Sequence, residues 1–180
     1  MEARSPTSAQ TEESAASAVL ARWYKAWNAH DVNAVSALMT DDIRYEDPAA
    51  HANVLHGRQA VEAYVRSAFK SLPDLRLEKL EEWVTPGGQV IASYFRVTAT
   101  FSGVGEAPGL PPLAPTNARI ELLGMDRSEI REDRLARHQI FWDVVELGRQ
   151  TGLVPPRNST MEKFSRRLQP LTARRMRRRG

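Results

Sequence analysis

The sequence predicts an α+β domain, shaped as a cone-like α+β barrel in which N-terminal helices pack on a strongly curved antiparallel sheet and leave a pocket at the open end. Three observations carry this. Apolar residues recur at helical spacing up to about residue 71, the chain alternates like strands from about residue 76 to 142, and helices and strands are segregated rather than interleaved.

A polar leader occupies residues 1–13. Val19, Leu20, Trp23 and Trp27 then recur at three- and four-residue steps, which predicts a helix over about 14–29, broken by Asn28 and His30. Asp31 is a good N-cap for a short second helix whose Val32, Val35, Leu38 and Met39 share a face. In "TDDIRYEDPAA", Ile43, Tyr45 and Asp47 alternate with Arg44 and Glu46 until Pro48 stops a short strand. A loop with His51, His56 and Gly57 leads to a third helix over 58–71, with Val61, Tyr64, Val65, Ala68 and Phe69 inward. "LRLEKLEEWV", a "TPGG" turn and "QVIASYFRVTATF" make a long hairpin, with Ile91, Phe95, Val97, Ala99 and Phe101 on one face. The Gly/Pro-rich "SGVGEAPGLPPLAPTN" is a loop of the kind that rims a site. A second hairpin, 118–130 and 134–142, turns at "REDR", and a helix over about 144–151 follows. Gly87, Gly88, Gly103, Gly105 and Gly124 are placed where curvature needs them. The domain is expected over 14–156, with 157–180 a flexible, disordered basic tail.

The 180 residues are 42% hydrophobic and 26% charged, ordinary for a globular protein. No apolar run is long enough to span a bilayer, and the leader lacks the apolar segment of a secretory signal, so a cytoplasmic protein is expected. The absence of cysteine excludes disulfides, thiolate nucleophiles and cysteine-held zinc. The four histidines lack a metal-type spacing, so no metal is expected. Residues 157–180 carry nine basic side chains against Glu162, a net +8 that leaves the rest of the chain at −5 within the total of +3. Such a tail is either a solvated segment or a weak, non-specific polyanion contact for phosphates or anionic lipid.

The candidates for chemistry are carboxylates that point into the cone. Asp47 shares a side with Ile43 and Tyr45, and a carboxylate in an apolar cleft is a stronger base toward a proton next to a carbonyl. Alternatively, "DP" only starts a turn. Asp126 lies in a mostly apolar row with Ile120, Leu122, Ser128 and Ile130, where it is either a hydrogen-bonding acid or the partner of Arg96 or Arg127. Asp143-Val-Val-Glu146 is a capping box, and the same contacts would hold Asp143 ionised as a base. In a regular strand His138 faces away from Asp143, so a His–Asp pair needs a bulge. Trp23, Trp27, Trp83 and Trp142 suit a core, and any of them also suits an apolar pocket wall.

The strings "WNAHDVNAVSALMTDDIRYEDPAA", "LHGRQAVEAYVRSAF", "LPDLRLE", "GLPPLAPTN" and "FWDVVELGRQTGL", in this order over about residues 20–154, resemble the SnoaL-like members of the nuclear-transport-factor-2-like superfamily, a group with polyketide cyclases and ketosteroid isomerases. The resemblance implies a cofactor-independent cyclase or isomerase for a bulky apolar carbonyl compound, working by α-proton abstraction and enolate stabilisation. By resemblance to the cyclases, Asp143 matches the acid/base of an intramolecular aldol closure, with His138 a helper. By resemblance to the isomerases, Asp47 matches the proton-moving base and Asp126 the neutral acid of the oxyanion hole. The isomerases' oxyanion tyrosine falls on Trp23, with Tyr24 adjacent. Trp23, Tyr24, Trp27, Tyr45 and Trp142 are the expected substrate-binding residues. The resemblance also implies a homodimer through the outer sheet face, while members that bind without catalysis keep a non-catalytic role open.

Overall fold

Ser14 starts the first helix by accepting the Ser17 N–H at 3.0 Å, and α1 (Ala15–Asn28) buries Val19, Leu20, Trp23, Tyr24 and Trp27. This computed structural model describes residues 14–50, 54–102 and 114–177. His30, at φ 54°, turns the chain, and Asp31 caps α2 (Val32–Ala37) by accepting the Ala34 N–H. Met39, expected at the end of that helix, instead opens strand β1 (Met39–Glu46), which is longer than the alternation suggested. A three-residue strand, β2 (Val54–His56), forms where a loop was expected, and its short length suits a sheet edge. Gly57, at φ 81°, gives its N–H to Ile43 and leads into α3 (Arg58–Ser71).

The remaining strands follow the alternation closely: β3 (Arg76–Val84), β4 (Val90–Phe101), β5 (Ala118–Arg131) and β6 (Arg134–Trp142). Along β4 every second residue from Ile91 to Phe101 is buried. Glu132 and Asp133, at φ 52° and 55°, form the tight turn between β5 and β6. Helices α4 (Val144–Gln150) and α5 (Thr160–Arg177) close the chain.

The six strands order β2-β1-β6-β5-β4-β3. The expected α+β architecture is present, with helices packed against one face of a sheet that is mixed and open rather than wholly antiparallel. β1 runs parallel to β6, which the long connection between them, nearly half the chain, allows where a hairpin would not, and the edge strands β2 and β3 do not meet. Register shifts in the β1·β6, β3·β4 and β5·β6 pairs mark where the strands bend. Gly124 lies in β5, where an added Cβ would sit 2.7 Å from the Phe95 ring, so its missing side chain lets that ring cross the strand. Gly103 and Gly105 lie outside the described residues. The core lies between the helices and the inner sheet face, from Val19 and Trp23 of α1 to Ile91, Ile120 and Leu135.

Within the segment 157–180, expected as a basic tail, residues 160–177 form helix α5. Its start has a local cause: the Ser159 hydroxyl accepts the Glu162 N–H at 3.1 Å, and Glu162 accepts the Asn158 N–H. Good helix formers follow, and Pro170 lies inside the helix.

Candidate functional site

Cross-strand register brings the polar groups together. Ser93 of β4 stands opposite Asp126 of β5, and Ser128 of β5 stands opposite His138 of β6, which in turn stands opposite Tyr45 of β1. Directly opposed side chains on one face touch, so each pair becomes a hydrogen bond or a packed contact. Ser93 donates to Asp126 Oδ2 at 2.8 Å, and Ser128 Oγ lies 2.8 Å from His138 Nδ1. Tyr24 of α1 enters from above, donating to Asp126 Oδ2 at 3.2 Å with Ser93 Oγ 2.8 Å away. Asp126 is 3% exposed, and its Oδ1 has no partner among the described residues. Neither arginine weighed for it takes part: Arg96 pairs with Glu78 and Glu121, and Arg127 with Glu129.

Asp47 follows β1 and is 2% exposed. Its Oδ1 accepts the Ala49 N–H at 2.8 Å, the turn-forming bond, while its Oδ2 accepts the Tyr64 O–H at 2.7 Å. The turn reading and the buried-acid reading of "DP" are thus both realised in one side chain. Burial raises its pKa, opposed by the hydrogen bonds from Tyr64 and Ala49 and by the nearby Trp142 N–H. That indole N–H makes no complete hydrogen bond of its own. His138 is 2% exposed, and burial lowers its pKa against the opposing effect of Asp126, so the ring is neutral at pH 7. It packs on Trp23 and Tyr45, with ring centroids at 5.2 and 5.3 Å. Burial also raises the pKa of Tyr24, Tyr45 and Tyr64, and the carboxylate charges of Asp126 and Asp47 add to it, so all three keep their protons.

Asp47, Asp126, His138, Tyr24, Tyr45 and Tyr64 line one cavity of about 70 Å³, with Ser93 and Ser128 bonded to Asp126 and His138 from outside its lining. Of the residues singled out from sequence, Asp47, Asp126, His138, Trp23, Tyr24, Trp27, Tyr45 and Trp142 all reach it. Asp143 does not: it is exposed and accepts the Glu146 N–H at 2.8 Å as the N-cap of α4. The β5·β6 register runs unbroken from Trp142 to Arg137, so no bulge turns His138 toward Asp143. Trp83 lies on the outer face, 48% exposed. His30 is held by the Leu75 carbonyl and stacks on Phe69, His56 is exposed, and His51 lies outside the described residues. Among the described residues no cluster of His, Asp and Glu is arranged to hold a metal ion.

Sequence reasoning missed Tyr64, Ser93 and Ser128. Tyr64 was placed inward on α3, but an inward tyrosine looks the same whether its hydroxyl meets a carboxylate or solvent. The serines had a usable signal: each sits in phase with a buried and mostly apolar row, Ser93 in β4 and Ser128 beside Asp126 in β5.

A family model described as "SnoaL-like domain" matches residues 20–138. A search by sequence among curated proteins finds no match. Among solved structures, a candidate polyketide cyclase from Xanthomonas campestris pv. campestris superposes with TM-score 0.66 at 18% identity, covering 76% of this chain and 96% of that one. A candidate SnoaL-like polyketide cyclase from a Jannaschia species gives 0.66 at 14%, covering 87% and 100%. A hypothetical protein with a ketosteroid isomerase-like fold from Catenulispora acidiphila, in complex with trimethylamine, gives 0.60 at 15%, covering 79% and 96%. At these identities the likeness is one of fold. Among the described residues no helix is long and apolar enough to cross a membrane.

Proposed function

The chain belongs to the SnoaL-like domain family, and from that premise we propose that it is a cofactor-independent enzyme that moves a proton alpha to a carbonyl, as a cyclase or isomerase does. The observation that carries this is the buried Asp47, its pKa raised by desolvation, in the same apolar cavity as the Tyr24–Ser93–Asp126 cluster. Asp47 takes the α-proton, and the electron pair moves onto the carbonyl oxygen. That oxygen is stabilised by the Tyr24 hydroxyl, which turns its one proton from Asp126 Oδ2 to the enolate oxygen while Ser93 continues to donate to Asp126. The resulting enolate either regains the proton at another carbon, which is isomerisation, or attacks a second carbonyl, which closes a ring. His138, neutral beside Ser128, is the helper.

The acid/base role falls to Asp47 rather than Asp143, because Asp143 is exposed and outside the cavity. Asp143→Ala is expected to cost about 1 kcal/mol of stability, the usual effect of losing an N-cap, with turnover retained. Chemical denaturation and a rate assay on one sample check this. The cavity, at about 70 Å³, is well below the roughly 300 Å³ of pockets that hold drug-sized ligands. It therefore takes the reacting end of an apolar substrate, and a bulkier body lies outside or displaces side chains.

The test is incubation with a β,γ-unsaturated ketosteroid and with small cyclic ketones in deuterated buffer. Deuterium wash-in at the α-carbon above the buffer rate supports the reading. A ligand that binds and emerges undeuterated overturns it in favour of a non-catalytic binding domain.

The homodimer is proposed through the outer sheet face, where Trp83, Leu123, Met125 and Phe141 are exposed and Met125 stands opposite Phe141. Phe141→Glu is expected to convert a dimer to a monomer in light scattering, and an unchanged mass would count against this face.

A further inference from the structure

We propose that α5 is an interfacial anchor that lays the protein on an anionic bilayer. At 3.6 residues per turn, Met161, Phe164 and Leu168 fall within a sector of roughly 60°. Lys163, Arg166, Arg167, Arg174 and Arg177 fall in a sector roughly opposite. Met161, Phe164 and Leu168 are 61%, 56% and 41% exposed, so the protein's own core does not cover this apolar stripe. All five basic residues are exposed as well, and only Arg166 is paired among the described residues, with Glu162.

An apolar stripe with a densely cationic opposite side matches one environment in particular. At a bilayer surface the stripe enters the boundary between headgroups and acyl chains while the long basic side chains reach anionic headgroups. Each cation near such a surface tightens attachment by about fivefold. Nucleic acid would use the basic side alone and leave Phe164 and Leu168 in water, which is why lipid is the better match. The helix is too polar to cross a membrane, so it lies in the surface plane. Arg157, just before α5, pairs with Glu146 of α4, so the anchor is tied near the end of β6 that carries Trp142.

The experiment is co-sedimentation of the full chain with vesicles of phosphatidylcholine alone and of phosphatidylcholine with phosphatidylglycerol. Binding to the anionic vesicles, weakened by salt, and little binding to the neutral ones is expected. Phe164→Glu should weaken the anionic binding by about tenfold, as removal of one buried aromatic anchor does. Arg166→Gln should weaken it by about fivefold. Both side chains are exposed, so the melting temperature should not move, and Phe164→Ala serves as a milder second variant. Failure to bind anionic vesicles overturns the proposal. So does binding that Phe164→Glu and Phe164→Ala leave unchanged, since that is charge attraction alone, the result expected of a nucleic-acid contact. A fall in oligomer mass with Phe164→Glu also overturns it, in favour of a second copy of the chain on the apolar stripe.

Discussion

Asp47→Asn is expected to lower turnover by about 10³-fold, in the middle of the range for loss of a general base. The substitution keeps the size of the side chain and an acceptor for the Ala49 N–H, so the turn after β1 survives. The pH profile separates a catalytic loss from a structural one. For the proposed reaction, kcat/KM of the native protein is expected to fall on the acid side through the pKa of Asp47, which burial places above the ordinary carboxylate value of 3.8. In the variant that limb disappears from whatever activity is left. Stability moves the other way. A carboxyl whose pKa is raised by folding stabilises the native state fully below its unfolded value and loses that contribution as pH rises through the native value. The Asn variant should therefore melt above the native protein at pH 7, with the gap closing below pH 3.8. Melting curves across pH check this, and a variant that melts lower at pH 7 would contradict a desolvated Asp47.

Tyr24→Phe is the second large effect, a fall in kcat of about 10²-fold or more from removing one donor to the enolate oxygen. The Tyr24 ring packs edge-on against Phe95 with centroids 6.4 Å apart, and phenylalanine preserves that packing. The hydroxyl is lost from both Ser93 and Asp126, yet these two still bond to each other at 2.8 Å. A change in kcat with little change in KM identifies an interaction made in the transition state. An equal rise in KM with kcat intact would instead make Tyr24 a plain binding contact.

Where the sequence reading succeeded, the signal was local. The spacing of Trp23 and Trp27 along α1, the cap at Asp31, the alternation of Ile91, Phe95 and Val97 and the glycines of the "TPGG" turn each depend on residues within a few positions of one another. Where it failed, two distant segments had to meet. The parallel β1·β6 pairing has no turn to announce it, and the open sheet follows from edges that no short pattern describes. Asp143 shows the limit from the other side. Its capping box was legible and is present, but whether the same carboxylate faces a cavity depends on how α4 is carried away from the sheet. Tyr64 was read as one more inward side chain because its partner, Asp47, lies on another element 17 residues away.

The sequence by itself determined the elements, their caps and turns, and which face of each is apolar, because these arise from backbone preferences and side-chain period within a turn or two. Of the nine site residues singled out from the sequence, eight line the cavity and only Asp143 does not. Only the tertiary structure decided which polar groups are buried together. Ser93 and Asp126 are 33 residues apart, and Tyr24 and Asp126 are 102 apart, so their hydrogen bonds exist only once strand register and the seat of α1 are fixed. The same burial that brings Asp47 out of water raises its pKa, and desolvation belongs to the packed molecule rather than to any stretch of its chain.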